Sequence, residues 1–201
     1  MWLIRFLVPH IRLADLPLMF SIAVLGGLIA GGYGIAHDQV TYSISPEYFT
    51  KMKFDQFHHA NFGWGDRVFA GTIGFLATWW AGMLAAWLLA RRLIPNQPRQ
   101  VALRQIGLGI GCIFVCVILF GLGGYLYGLW RGPDADYSHW QGLLRVLEID
   151  DQWAFIRVAY IHNAGYMGVL LGLIVALALI RPRKPHPTPV ETSDSAASAS
   201  F

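Results

Sequence analysis

The chain has 201 residues, of which 55% are hydrophobic and 13% are charged, and its net charge at pH 7 is +3. Soluble domains usually carry about 25% charged residues. Here the missing charge corresponds to four long apolar segments, which argues against a soluble enzyme, a nucleic-acid-binding module and a disordered regulator.

The four apolar segments predict an all-α integral membrane protein built as a bundle of four transmembrane helices. The spans are predicted at about residues 16–36, 68–90, 106–130 and 158–180, within one domain of residues 16–180. Each segment has at least the roughly 20 residues that a helix needs to cross a hydrocarbon core about 30 Å thick. We therefore expect the lipid bilayer to be a partner of this chain.

The two ends of the chain differ from this domain in composition. Residues 1–15 combine aromatic side chains with Arg5 and Arg12, which predicts an interfacial segment at the membrane surface. Residues 181–201 are rich in proline and then in serine and alanine. Such a sequence buries too little apolar surface to fold, so we predict a disordered tail.

The distribution of basic residues predicts the orientation in the membrane. Nine of the 15 Lys and Arg residues lie in the N-terminal flank, the middle connection and the C-terminal flank. The two long loops hold the other six, together with nine of the 12 acidic residues. Since basic residues concentrate on the cytoplasmic side, both termini are expected in the cytoplasm and both long loops outside it.

Both long loops are predicted to contain short helices that act as extracytoplasmic lids. The sequence Ser-Pro-Glu at residues 45–47 is a helix start, and the helix is expected to run from Pro46 to about His58. Most of its surface is aromatic or aliphatic, so it should cover the bundle. In the second loop, Ser138 and Gln141 have the spacing of a capping box.

The two halves of the sequence share a plan. A Gly-Gly-Tyr sequence closes the first span at residues 31–33 and the third span at residues 123–125, and a long loop follows each. This pattern is consistent with two tandem helical hairpins related by duplication. It is equally consistent with two unrelated hairpins.

Small residues recur at four-residue spacing within the spans, which favours close helix packing in a membrane. These glycine-rich faces predict a compact bundle, and they could also bind a membrane-protein partner or a second copy of the chain. In the fourth span, the stripe is expected to face another helix. The residues concerned are the pairs Gly27 and Gly31, Gly107 and Gly111, Gly124 and Gly128, and the stripe Ala164, Gly168, Gly172 and Ala176.

Two segments of the chain are similar to a known group of proteins, namely YSISPEYFTKMKFDQF and RVAYIHNAGYMGVLLGLIVAL. With them, the chain resembles a family of uncharacterised small bacterial multi-pass inner-membrane proteins that have an ISPEYFTK-type outer loop. The resemblance spans most of the chain apart from the tail. It implies a bacterial inner-membrane location and no particular activity or site residue.

His162 is the strongest candidate for a functional residue, because it lies within the fourth span beside Asn163 and four residues before Tyr166. Ionisable groups inside a membrane are costly and are often functional. His162 could bond to a loop acid, ligate haem, contact a quinone, or only join helices. We expect it to face a polar cluster beneath the lids, approached by His59 or Asp66, with His37 and Asp38 at a similar depth.

A second candidate is a metal site on the first loop. Asp55 and His59 have the i, i+4 spacing that places two ligands on one helix face, and His58 is adjacent. No established zinc motif is present, so interfacial histidines are the simpler explanation of the pattern.

The sequence offers no catalytic triad, nucleotide fingerprint or nucleic-acid-binding surface, and it identifies no cofactor and no catalytic residue. Two functions remain open, and the sequence favours the first over the second as its alternative. The first is a structural or accessory component of the bacterial envelope, which is not an enzyme. The second is a small membrane enzyme or carrier that binds a ligand, metal or cofactor in an outer-face pocket around His162.

Overall fold

A computed structural model describes residues 11–182, in which all regular structure is helical. The interfacial segment predicted for residues 1–15 is described only from residue 11. The tail predicted for residues 181–201 is described only as far as residue 182. The remainder of both segments lies outside the described residues.

Within the described residues, four helices are long and apolar enough to cross a membrane, which confirms the predicted all-α bundle. Each extends beyond its predicted span at one or both ends, because the helix continues through mixed polar and apolar residues. The helices are α1 (Leu16–Ile44), α2 (residues 46–56), α3 (Asp66–Leu93), α4 (Arg99–Arg131), α5 (Gln141–Val146) and α6 (Gln152–Leu179), and α2 and α5 are the short ones.

The first lid begins as predicted and ends earlier than predicted. The Ser45 side chain accepts a hydrogen bond from the Tyr48 backbone N–H at 3.4 Å, which caps α2. Inside α2, a π-helical turn spans Phe49–Lys53. The helix stops at residue 56 instead of His58 because the backbone of Phe57 leaves the helical conformation.

The second lid begins differently from the prediction. The capping box of Ser138 and Gln141 does not form, since no side-chain cap is present at the start of α5. Instead, the Asp136 side chain accepts a hydrogen bond from the Ser138 backbone N–H at 2.8 Å. A 3₁₀ turn at Ser138–Trp140 then leads into α5.

The four long helices form two hairpins, in which α1 packs along α3 and α4 packs along α6. In the first hairpin, the backbones meet where Gly34 faces Gly74 and where Gly26 faces Gly82. Between these contacts, Thr78 donates a hydrogen bond to the Ala30 carbonyl at 2.8 Å. We call these residues the glycine seam.

The predicted stripe in the fourth span packs against α4. A Cβ atom at Gly168 would lie 2.9 Å from the Cys116 carbonyl oxygen, and one at Gly172 would lie 2.9 Å from the Ile113 Cα atom. The pair Gly107 and Gly111 behaves differently, because a Cβ at either position meets nothing within 4 Å. That pair faces away from the bundle.

The two lids are joined by a polar clasp at the end of the bundle that carries them, which we call the lid end. Glu47 accepts hydrogen bonds from the backbone N–H groups of Asp150 (3.1 Å) and Asp151 (2.8 Å). Lys51 pairs with Glu47 at 2.7 Å and donates to the Glu148 carbonyl. The first lid therefore holds the start of α6.

Candidate functional site

His162 on α6 lies in an aromatic enclosure beneath the first lid, and only 8% of its surface is exposed. The Tyr48 ring stacks on its imidazole with the ring centroids 5.0 Å apart. Phe49 and His37 meet the same imidazole edge-on, at 6.2 Å and 4.8 Å. These contacts shield His162 from lipid and restrict its orientation.

Asp38 on α1 faces His162 across the junction between the two hairpins. It lies four residues after Gly34, and the glycine seam therefore directs it into the bundle, where it is 3% exposed. Its Oδ1 atom is 3.9 Å from the His162 Nε2 atom. That distance is too long for a hydrogen bond, and the Nε2 atom has no hydrogen-bond partner among the described residues.

His37 completes a group of three potential ligands. Its Nδ1 atom is 3.3 Å from the Tyr33 hydroxyl, which lies one turn earlier on α1. One ligand atom from each of His37, Asp38 and His162 lies within 4.8 Å of the others. In residues 11–182, no other group of three such side chains meets this criterion.

These side chains line a cavity of about 50 Å³ to which every long helix contributes. A single water needs about 10–15 Å³ of such space, so the cavity has room for an ion with a water molecule. Lys53 of the first lid lines it as well, with Thr78 of α3 and Tyr166 of α6. Burial lowers the pKa of the Lys53 ammonium group, and the nearby Asp38 carboxylate partly offsets that effect.

The structure places some of the residues predicted around His162 in the same cavity and the others elsewhere. His37 and His162 come together, and Tyr166 lines the same cavity although 51% of it is exposed. Asn163 is exposed and lines a separate groove between α4 and α6, since one residue along a helix turns the side chain by about 100°. Asp66 is exposed and accepts a hydrogen bond from Tyr42 at 3.3 Å.

Asp55, His58 and His59, the metal ligands predicted on the first loop, are not grouped as three potential ligands in the described residues. Asp55 and His59 would share a helix face only if the helix were continuous, and it ends between them. His59 stacks against Phe57 and lines another groove. The Nδ1–H group of His58 donates to the Asp55 backbone carbonyl at 2.9 Å, which holds this ring against the end of α2.

The sequence alone did not identify Lys53, Tyr48 or Tyr33 as residues of the site. Tyr48 and Lys53 belong to the first lid, whose contact with His162 depends on how the loop folds back over the bundle. Asp38 was expected at the depth of His162, and its four-residue spacing from Gly34 places these two residues on one helix face.

Comparison with known proteins finds no matching family model, no matching curated protein and no matching solved structure.

Proposed function

We propose that this chain is a bacterial inner-membrane protein with both termini in the cytoplasm and the lid end outside it. The excess of Lys and Arg in the flanks and the middle connection supports this orientation. The loop that contains ISPEYFTK resembles the outer loop of bacterial multi-pass inner-membrane proteins, which supports a bacterial origin.

Within that topology, we infer that the protein binds a small ligand in the cavity beneath the lids. One observation carries this inference: the His162 Nε2 atom is buried, lacks a hydrogen bond within the described residues and lies beside Asp38 and His37. An unsatisfied polar group in an apolar environment costs several kcal/mol. A bound ligand with polar groups would remove that cost.

Native mass spectrometry of the full chain, purified in lipid nanodiscs, tests ligand binding. The wild-type protein should carry a non-lipid adduct of defined mass, and His162→Gln should lose it. His139→Gln is the matched control, because it changes an exposed histidine of the second loop. A wild-type protein without an adduct, or an adduct equally present in His162→Gln, contradicts ligand binding.

A structural or accessory role in the envelope is the second candidate, and the position of the cluster favours it. Asp38 and His37 belong to one hairpin and His162 to the other, so their contacts also hold the hairpins together. Under this role, His162→Ala lowers the thermal stability without removing any ligand. A stoichiometric membrane-protein partner or a homo-oligomer should then co-purify with the wild type.

A further inference from the structure

We propose that His37, Asp38 and His162 bind one divalent transition-metal ion in the cavity beneath the lids. This inference rests on the proposed ligand-binding function and names the class of its ligand. Two imidazoles and one carboxylate supply two nitrogen ligands and one oxygen ligand. That set suits Zn²⁺, Fe²⁺ or Co²⁺, whereas Mg²⁺ and Ca²⁺ prefer oxygen ligands alone.

The present geometry is close to that of a metal site. Metal–ligand bonds of about 2.0–2.1 Å in a tetrahedral zinc site place the ligand atoms about 3.3 Å apart. The His162 Nε2 and Asp38 Oδ1 atoms are 3.9 Å apart, and all three ligand atoms lie within 4.8 Å of one another. Side-chain shifts of an ångström or so would bring them into coordination.

An independent observation is the state of the His162 Nε2 atom. It is buried and has no hydrogen bond to any described residue, although the Asp38 carboxylate lies 3.9 Å away. Two partners that served only as a hydrogen-bonded plug would be expected at about 2.7–3.2 Å. A separation near 4 Å leaves space for an ion between them.

A metal site also needs neighbouring residues that hold its ligands in place. The surroundings of the three ligands provide this support. When the Nδ1–H group of His37 donates to the Tyr33 hydroxyl oxygen, the Nε2 lone pair of that ring is free to bind the metal. Tyr48 stacks on the His162 ring and fixes its plane. Tyr33 is thus a positioning residue.

The three ligands also leave an open coordination position, and the cavity lies beside a wider groove. Three protein ligands leave at least one position for water or a substrate, as in catalytic zinc sites. Tyr33 and His37 line both the cavity and a wider groove of about 720 Å³ that also contacts α4. These two side chains therefore lie between the cavity and the groove.

Titration with Co²⁺ tests the proposal, because tetrahedral or five-coordinate Co²⁺ absorbs visible light. The full chain is purified in detergent with a tag that contains no histidine and is stripped with a chelator. Wild type should bind one equivalent of Co²⁺, and Zn²⁺ should displace it. Asp38→Asn and His162→Gln should each weaken binding by more than about 100-fold, which exceeds the usual loss for an outer-shell change.

Two further variants separate the metal ligands from their surroundings. Tyr33→Phe should retain the Co²⁺ spectrum and bind about tenfold more weakly, since it removes only an outer-shell bond. His59→Gln, in the exposed part of the first loop beyond the lid helix, should bind like wild type. Circular dichroism and thermal unfolding of the metal-free variants establish that each is folded.

The possible results distinguish this inference from the function on which it rests. Wild-type protein that binds less than one equivalent, or folded Asp38→Asn that binds as tightly as wild type, overturns the metal site. If native mass spectrometry then reveals an organic adduct lost in His162→Gln, the ligand-binding function stands without the metal. If neither metal nor adduct is found, both proposals are wrong.

Discussion

Lys53 illustrates how one residue adjusts the charge of a buried site. Its side chain reaches from the first lid to the cavity that holds the Asp38 carboxylate, and its Nζ atom donates to Gln56 at 3.2 Å. A lysine inside such a site balances the carboxylate when no other cation is present. It also repels any metal ion that enters.

Lys53→Met should therefore tighten Co²⁺ binding by roughly tenfold or more, because repulsion between like charges across several ångströms of protein is on the order of a kcal/mol or more. The measurement is the Co²⁺ titration monitored by visible absorbance. Arg145→Met removes an exposed cation outside the cavity and serves as the control. Unchanged or weaker binding by Lys53→Met would show that its ammonium group does not oppose the ion.

At the scale of single residues, the sequence identifies which polar groups lie within the membrane and not which of them meet. His162 stands out because its span is otherwise almost entirely apolar. The pairing of Asp55 with His59 assumed a continuous helix. The non-helical backbone of Phe57 separates them, and nothing in the spacing of the two residues reveals that break.

Among the elements, the glycine seam between α1 and α3 governs how the site is assembled. A Cβ atom at Gly34 would overlap the Gly74 carbonyl, and Asp38 follows one turn later on the same face. Any widening of this seam moves Asp38 relative to His162. The seam therefore connects helix packing to the geometry of the ligands.

Gly34→Ala should lower the apparent unfolding temperature of the protein and weaken Co²⁺ binding, because even one methyl group must force the two backbones apart. Gly111→Ala is the matched control, since its Cβ meets nothing within 4 Å. That substitution should be neutral or stabilising by up to about 1 kcal/mol from helix propensity. Equal effects of the two substitutions in a thermal-unfolding assay would rule out the seam as a special contact.

The clasp between the lids gives the protein a predicted dependence on acid. Burial alone would raise the pKa of the Glu47 carboxyl, but the hydrogen bonds from Lys51 and from the Asp151 and Asp150 backbone outweigh it and lower that pKa below the ordinary value of 4.5. A group whose pKa is lower in the folded state stabilises the fold above its unfolded pKa. That stabilisation is lost as the pH falls through the folded value.

Wild type should accordingly be more heat-stable than Glu47→Gln at neutral pH, and the difference should shrink as the pH falls below about 4.5. Thermal unfolding of both proteins across this pH range measures the effect. Glu148→Gln is the control, because Lys51 contacts only the backbone carbonyl of that residue. A difference between wild type and Glu47→Gln that stays constant with pH would exclude an ionised Glu47 from the clasp.

The elements themselves were largely predictable, because length and apolar composition are local properties of the sequence. Ser45 was correctly identified as the cap of α2 from its position before Pro46. The seam between Gly34 and Gly74 was not predicted, although small residues lie at four-residue spacing on both helices. Several such faces exist on each span, and only the packed structure selects the one that is used.

Across the whole molecule, the site lies where two tightly packed hairpins meet each other more loosely. Away from the lids, the hairpins share an apolar core that includes Met19, Leu89 and Ile106. At the lid end, a second apolar cluster forms around Phe49 and Phe155. The polar groups lie between these two cores, at the looser contact between the hairpins.

The orientation in the membrane determines from which side a ligand enters, and it can be tested directly. Phosphatase and fluorescent-protein fusions after Arg92 and after Arg183 should report a cytoplasmic location, and an insertion near Lys53 should report an external one. The expectation rests on the nine basic residues of the flanks and middle connection against six in the two long loops. A further fusion after Asp134, in the second long loop, should agree with the insertion near Lys53. Phosphatase activity from the Arg92 fusion would invert the topology and make the cavity accessible from the cytoplasm.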